Sequence, residues 1–379
     1  MLSAFSAEHF LCVIWYYIAM PSSLYQTIKS NYKKYWLTIA FVLGFFTDVL
    51  LLNQIDDVVD NIILLFYVTL ATFSILFFYA GVAQKLGTNV SKRLVLYMPI
   101  VMQYSFGGLF SGMLIFYARS GDLFSSLPFF ILILAVIFGN ELVHKRSDGL
   151  VYHLALYFVG LFSYTILVLP VLIGIMGGWI FFLSGLLALG VVTLLIQTLY
   201  KIVPRFMELN TQRIILSIGF IYILFNTLYF ANIIPPIPLS LTQLEIVQSV
   251  TRLEDGNYRI VAEEQPWWER FFFIKPELHP TTSSLSCFAK VYAPTRLSTK
   301  IFHRWEYKDA NNDWQERLYL GYDIAGTNTG GYRGYTTISS FSDGVWRCSV
   351  ESARGQVLGR ATVQIDRTKP AHQVVTRIE

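Results

Sequence analysis

The chain has 379 residues, 54% hydrophobic and 16% aromatic against only 14% charged, with a formal net charge of +4. That composition describes a polytopic membrane protein and argues against a purely soluble domain. The positive charge is spread over several loops and builds no basic stripe, which argues against nucleic acid as a partner.

The first apolar segment, Leu2–Met20, is interrupted by Glu8 and His9 and closed by Pro21. It reads either as a span with its N-terminus outside or as a helix lying in the membrane interface. It lacks the basic n-region and small-x-small cleavage site of a signal peptide. Seven further stretches are long enough to cross about 30 Å of hydrocarbon: Tyr35–Leu52, Asn61–Val82, Leu94–Ala118, Leu123–Val143, Leu150–Ile173, Trp179–Tyr200 and Arg213–Ile234. Basic residues crowd Lys29–Lys34, Lys85–Arg93, His144–Arg146 and Lys201–Arg213. The intervening loops are acidic (Asp56, Asp57, Asp60), nearly neutral (Arg119–Asp122) or uncharged (Ile173–Gly178). By the positive-inside rule each stretch crosses once, and everything after Ile234 is expected outside the cytoplasm.

Composition changes at Ile234-Pro235-Pro236-Ile237-Pro238, which reads as a stiff, extended exit from the last span. Beyond it the period is two. Strands are expected at Leu244–Thr251, Tyr258–Glu263, Leu285–Tyr292, Lys300–Tyr307, Trp314–Asp323, Arg333–Ser339, Val345–Glu351 and Gln356–Ile365. Glu254-Asp255-Gly256-Asn257 reads as a hairpin turn between the first two. The expected architecture is therefore an α-helical polytopic membrane bundle of about seven or eight spans followed by an all-β, immunoglobulin-like sandwich. The boundaries are a membrane region over 1–234, a proline linker over 235–242, an extracytoplasmic β domain over 243–366 and a frayed polar tail over 367–379. Cys287 and Cys348 both fall in the exported part, where they read equally as a disulfide or as two buried free thiols. Trp305 and Trp346 read as core, and Trp267-Trp268 either as an interfacial anchor or as an exposed binding element.

Asn53-Gln54-Ile55-Asp56-Asp57, Ile115-Phe116-Tyr117-Ala118-Arg119-Ser120, Gly139-Asn140-Glu141 and Pro235-Pro236-Ile237-Pro238-Leu239-Ser240 resemble a family of bacterial polytopic membrane proteins. Its members end in a domain of unknown function. His303-Arg304-Trp305, the Gly330–Tyr335 run, Gly344-Val345-Trp346-Arg347 and Gly355-Gln356-Val357-Leu358-Gly359-Arg360 are similar to that domain. The resemblance implies a bacterial inner-membrane setting and no particular activity.

Two groups of residues are candidate sites. Ionisable groups inside spans are costly and point to function by default. Asp48 lies in the outer half of its span, with Asn53, Gln54, Asp56 and Asp57 at the mouth, Arg119 ending another span on the same side and Asn226 near the end of the last. These residues would line an outward-facing polar vestibule; for Asp56, Asp57 and Arg119 an interfacial salt bridge explains the charge as well. Glu141 reads as a partner of the basic run beside it. The glycines at 107, 108, 112, 160, 177, 178, 185 and 190 read as close helix packing. In the exported region His303, Asp323, Tyr332, Arg333 and Tyr335 combine aromatic faces with hydrogen-bonding groups, which suits a sugar ring or a partner peptide. No zinc motif, nucleophile elbow or phosphate loop is present in that region, and neither cofactor nor metal is expected.

Three functions follow. The leading one is an integral inner-membrane protein that binds or assembles an envelope glycan or protein through its periplasmic β domain, with membrane lipids around the bundle and oligomers compatible with it. The second is a transporter or flippase for a lipid-linked or small anionic substrate. The third is a membrane-embedded transferase with Asp48, Asp56 or Asp57 as base and Arg119 as phosphate clamp; the absence of an acid/base pair at diagnostic spacing puts it last.

Overall fold

The computed structural model describes residues 34–52, 58–86, 93–122, 126–142, 149–264, 276–294, 297–325, 331–369 and 373–379. The chain divides into two compact units. Unit 1 takes most of the first 230 residues, and unit 2 takes Ala231–Glu379 together with Tyr117–Pro128 and Pro170–Met176.

Seven long helices stand among the described residues: α1 (Lys34–Leu51), α2 (Val58–Val82), α3 (Met98–Ser120), α4 (Leu127–Leu142), α5 (Gly149–Ile173), α6 (Gly178–Ile202) and α7 (Pro204–Phe230). Each coincides with one of the expected apolar stretches. Five of them, α2, α3, α5, α6 and α7, are long and apolar enough to cross a membrane, whereas α4 has 16 residues and α1 is apolar over a shorter run. The helices are apolar around much of their circumference, the pattern of a segment with no water to face. Proline sets some starts: Pro99, Pro128 and Pro204 lie in first helical turns, where a missing N–H costs nothing. Pro204 carries α7 nine residues earlier than Arg213, through the polar stretch that hydropathy alone assigns to a loop. Within unit 1, α1 and α3 meet at glycines. A Cβ on Gly107 would overlap the Phe41 carbonyl, and one on Gly44 would overlap the Tyr104 carbonyl. Small residues let two backbones approach this closely, as in membrane helix pairs.

Among the described residues the strands form three sheets. β1 (Ser240–Val247), β5 (Leu285–Tyr292) and β8 (Tyr332–Ile338) make one antiparallel sheet in the order β1-β5-β8. β4 (Glu277–Leu278), β10 (Val357–Ile365), β9 (Gly344–Ser352), β6 (Ser298–Lys308) and β7 (Trp314–Ala325) make the second, in that order, with β4 parallel to β10. β11 (Val374–Ile378), β3 (Tyr258–Glu263) and β2 (Ser249–Arg252) make the third. The first two sheets share a core of Ile246, Leu285, Trp305, Trp346 and Val363, crossed by a Cys287–Cys348 disulfide from β5 to β9. Trp305 is fully buried, in register with Cys348 on the neighbouring strand. The third sheet covers Phe288, on the outer face of the first, with Val250 and Ile260.

Most strands match their expected positions, β4 has no expected counterpart, and three further features differ. The run Leu244–Thr251 is broken at Gln248, whose amide hydrogen bonds to the Glu263 carboxylate, so its two halves join different sheets. The proline segment is buried and turned: Ile237 N–H donates to the Pro235 carbonyl and Leu239 N–H to that of Pro236, with a cis Ile237–Pro238 bond. It therefore packs as part of unit 2, and β1 starts at Ser240, inside the expected linker. The tail, expected to fray, instead supplies β11, because β3 offers an edge whose backbone groups pair with Val374–Ile378.

Candidate functional sites

In unit 1 Asp48 is wholly buried. Tyr67 of α2 donates its hydroxyl to Oδ1 at 2.7 Å, and Ser111 Oγ of α3 lies 2.5 Å from Oδ2. The same Oγ lies 2.9 Å from the Gly108 carbonyl. Gly108 leaves the room that the Tyr67 ring fills, and Tyr67 meets Tyr104 edge-on at 5.8 Å. Three helices thus fix one carboxyl through two hydroxyls, an arrangement that can hold a proton or polarise a ligand.

The vestibule residues do not all join it. Asn53, Gln54, Asp56 and Asp57 lie outside the described residues, as do the side chains of Asn140 and Glu141. Arg119 is exposed at the end of α3 and is not a partner of Asp48. Asn226 donates to the Tyr222 carbonyl of its own helix. Tyr67 and Ser111 carry no local mark in the sequence; only the packing of three helices brings them to Asp48.

In unit 2 the five candidate binding residues separate. His303, expected at the surface, is wholly buried, with Nδ1 3.0 Å from Thr336 Oγ1 and Nε2 2.9 Å from the Tyr322 hydroxyl. Period-two alternation on β6 turns it inward with Trp305's sheet against the bridge, where its ring nitrogen and the two sulfurs lie within 4.8 Å of one another. Burial pushes its pKa down to about 4 and pushes the Tyr322 phenol up. Tyr332 stacks on Tyr322 and packs against the core. Asp323 is exposed on β7, opposite Lys300. Only Arg333 and Tyr335 share a surface patch. Tyr335 is 36% exposed and meets Tyr258 edge-on at 5.9 Å, while Arg333 Nη1 donates to Asn257 Oδ1 at 3.3 Å. Trp267 and Trp268 lie outside the described residues.

The outer face of the five-stranded sheet holds a second polar assembly that the sequence did not single out. Arg304 grips Glu351 in two parallel hydrogen bonds of 2.9 and 3.1 Å and reaches Glu316 at 2.8 Å, its guanidinium lying 4.8 Å over the Tyr319 ring. Glu351 raises the Arg304 pKa further. Arg347 pairs with Glu306 at 2.7 Å and lies 4.0 Å over Trp314. Planar guanidinium suits both contacts at once. Each of the five charged groups in this assembly is paired with an opposite charge.

Residues 298–365, from the start of β6 to the end of β10, match a domain family described as a protein of unknown function (DUF2914). No curated protein matches the chain in sequence. Among solved structures, an alkylpurine DNA glycosylase of Pseudomonas fluorescens bound to abasic-site DNA aligns over 83% of this chain and 99% of its own at 8% identity. Its TM-score of 0.19 is too low to carry any argument about fold or function.

Proposed function

We propose that the chain is an integral protein of the bacterial inner membrane that holds its β unit outside the cytoplasm to bind or assemble an envelope glycan or protein. Several observations support the setting. Five helices have the length and composition to cross a membrane. The Cys287–Cys348 disulfide suits an oxidising compartment. The loops that charge counting puts outside, around Arg119–Asp122 and Ile173–Met176, belong to the same compact unit as the β strands, and Asp122 pairs with Arg360 at 3.1 Å. A bridge between two sheets with a tryptophan packed beside it, and a short strand parallel to the last strand of the larger sheet, fits an immunoglobulin-like sandwich.

The observation that carries the binding reading is the Tyr258–Tyr335 pair with Arg333 and Asn257 at its rim: aromatic faces beside hydrogen-bonding groups, the make-up of a sugar or peptide subsite. The test is affinity of the full chain in nanodiscs for purified envelope glycans and envelope proteins, with and without replacement of Tyr258, Arg333 and Tyr335 by alanine. Loss of such a cluster should weaken binding about tenfold or more. Unchanged affinity in the triple variant defeats the assignment.

The buried Asp48 favours transport as a second reading, since an intramembrane carboxyl marks substrate and proton pathways. The transferase reading set Arg119 beside Asp48, Asp56 or Asp57; Arg119 does not contact Asp48, and Asp56 and Asp57 lie outside the described residues.

A further inference from the structure

The contacts around Asp48 can be read as a count of hydrogens. Ser111 has one hydroxyl hydrogen, yet its Oγ stands 2.5 Å from Asp48 Oδ2 and 2.9 Å from the Gly108 carbonyl. The carbonyl can only accept, so its contact uses the hydrogen of Ser111. A single hydrogen shared between both acceptors would leave both contacts long, whereas the contact to Oδ2 is 2.5 Å, so the shorter contact takes its hydrogen from the carboxyl itself. Oδ1 is already the acceptor for Tyr67. We propose that Asp48 is held as a neutral carboxylic acid that donates Oδ2–H to Ser111, and that this proton is a ligand bound where α1, α2 and α3 meet.

The opposite assignment is worse on two counts. An ionised Asp48 would take the Ser111 hydrogen and leave Ser111 Oγ facing the Gly108 oxygen with no hydrogen between them. It would also place a full charge in a wholly buried position. Among the described residues, the titratable groups acting on this site are Tyr67 and Asp60 from α2, with Tyr104 of α3 beside Tyr67, and none of these is a cation. The bound proton has a structural consequence. Its release redirects the Ser111 hydrogen to Asp48 and breaks the tie to Gly108, the residue against which the Tyr67 ring and the Gly44 backbone pack. Proton occupancy thereby decides whether the Ser111 hydrogen bonds within α3 or across to Asp48 on α1. This holds whether or not the β unit binds a partner.

The test is infrared difference spectroscopy on the full chain in nanodiscs at neutral pH, comparing wild type with Asp48→Asn and Ser111→Ala. Asp48→Asn should remove one protonated-carboxyl C=O band. Ser111→Ala retains Asp48 and should move that band to higher frequency, because the acid O–H has lost its acceptor; it decides the matter if Asp48→Asn does not fold. Loss of an ionised-carboxylate band in Asp48→Asn, or a protonated band that does not move in Ser111→Ala, overturns the proposal.

Discussion

The two units solve the burial of polar groups in opposite ways. In the helical unit a hydroxyl usually bonds a carbonyl one turn back on its own helix, as Thr72, Ser74, Ser105, Ser163, Ser184 and Thr193 do, and large apolar side chains such as Phe73 and Leu194 point outward. In the β unit, polar groups pair across strands that are far apart in sequence: Arg304 with Glu351, Arg347 with Glu306, Gln248 with Glu263. A helix satisfies its own backbone and can sit in hydrocarbon, whereas a sheet with free edges needs water outside and a sealed interior. Cross-helix pairs such as Thr72–Tyr157 and Thr165–Ser184 occur there too, and Asp48 stands out among them as a wholly buried carboxyl held by hydroxyls of two other helices.

The largest effect should come from the sandwich core. Trp305→Ala removes a fully buried indole packed beside the bridge and should cost about 3–5 kcal/mol, read as a fall in the unfolding midpoint of the β unit by near-ultraviolet circular dichroism. A cost below about 1 kcal/mol would mean that the two sheets do not depend on a common core.

Next comes pH. His303 titrates near 6.5 in an unfolded chain and at about 4 in its buried site. As pH falls the unfolded state takes up the proton first, so stability is full above about pH 6.5, declines from there to about pH 4 and is level below, a loss of about 3 kcal/mol. His303→Gln should flatten that decline in melting curves collected across the range; an unchanged slope would place the cause elsewhere.

Smaller still is the contrast between two charged residues of the helices. Asp48→Ala leaves the Tyr67 hydroxyl without its carboxyl acceptor and should cost about 1–3 kcal/mol, while Arg119→Ala, at an exposed helix end, should stay within about 0.5 kcal/mol. Thermal unfolding in detergent compares them, and equal costs would break the distinction between a site and a surface charge.

The smallest expected effect separates two surfaces of the β unit. Arg304→Ala leaves the buried Glu351 carboxylate without its fork and should cost about 1–2 kcal/mol after discounting for the exposed half of the network. Tyr335→Ala should change stability by under about 0.5 kcal/mol, as a residue at the surface should. Denaturant midpoints of the two variants check the ordering, and the reverse order would make the Tyr335 patch structural.

Much of the architecture was set by patterns that act over a few residues. Apolar runs located the seven helices, alternation located most of the strands, and the Glu254–Asn257 turn forms with Gly256 at positive φ and Asp255 accepting from the Asn257 backbone. These features depend on propensity and hydropathy, which neighbouring residues decide. What the sequence could not decide is which distant residues meet. Alternation showed that His303 has a face but not that this face points inward against the bridge; the two cysteines had no pairing until β5 and β9 faced each other; and Tyr67 and Ser111 are ordinary helix residues until glycine contacts bring α1 and α2 onto α3. The tail became a strand because β3 had an open edge. Each of these outcomes rests on the free energy of desolvating a group against partners many residues away, and only the folded chain supplies those partners.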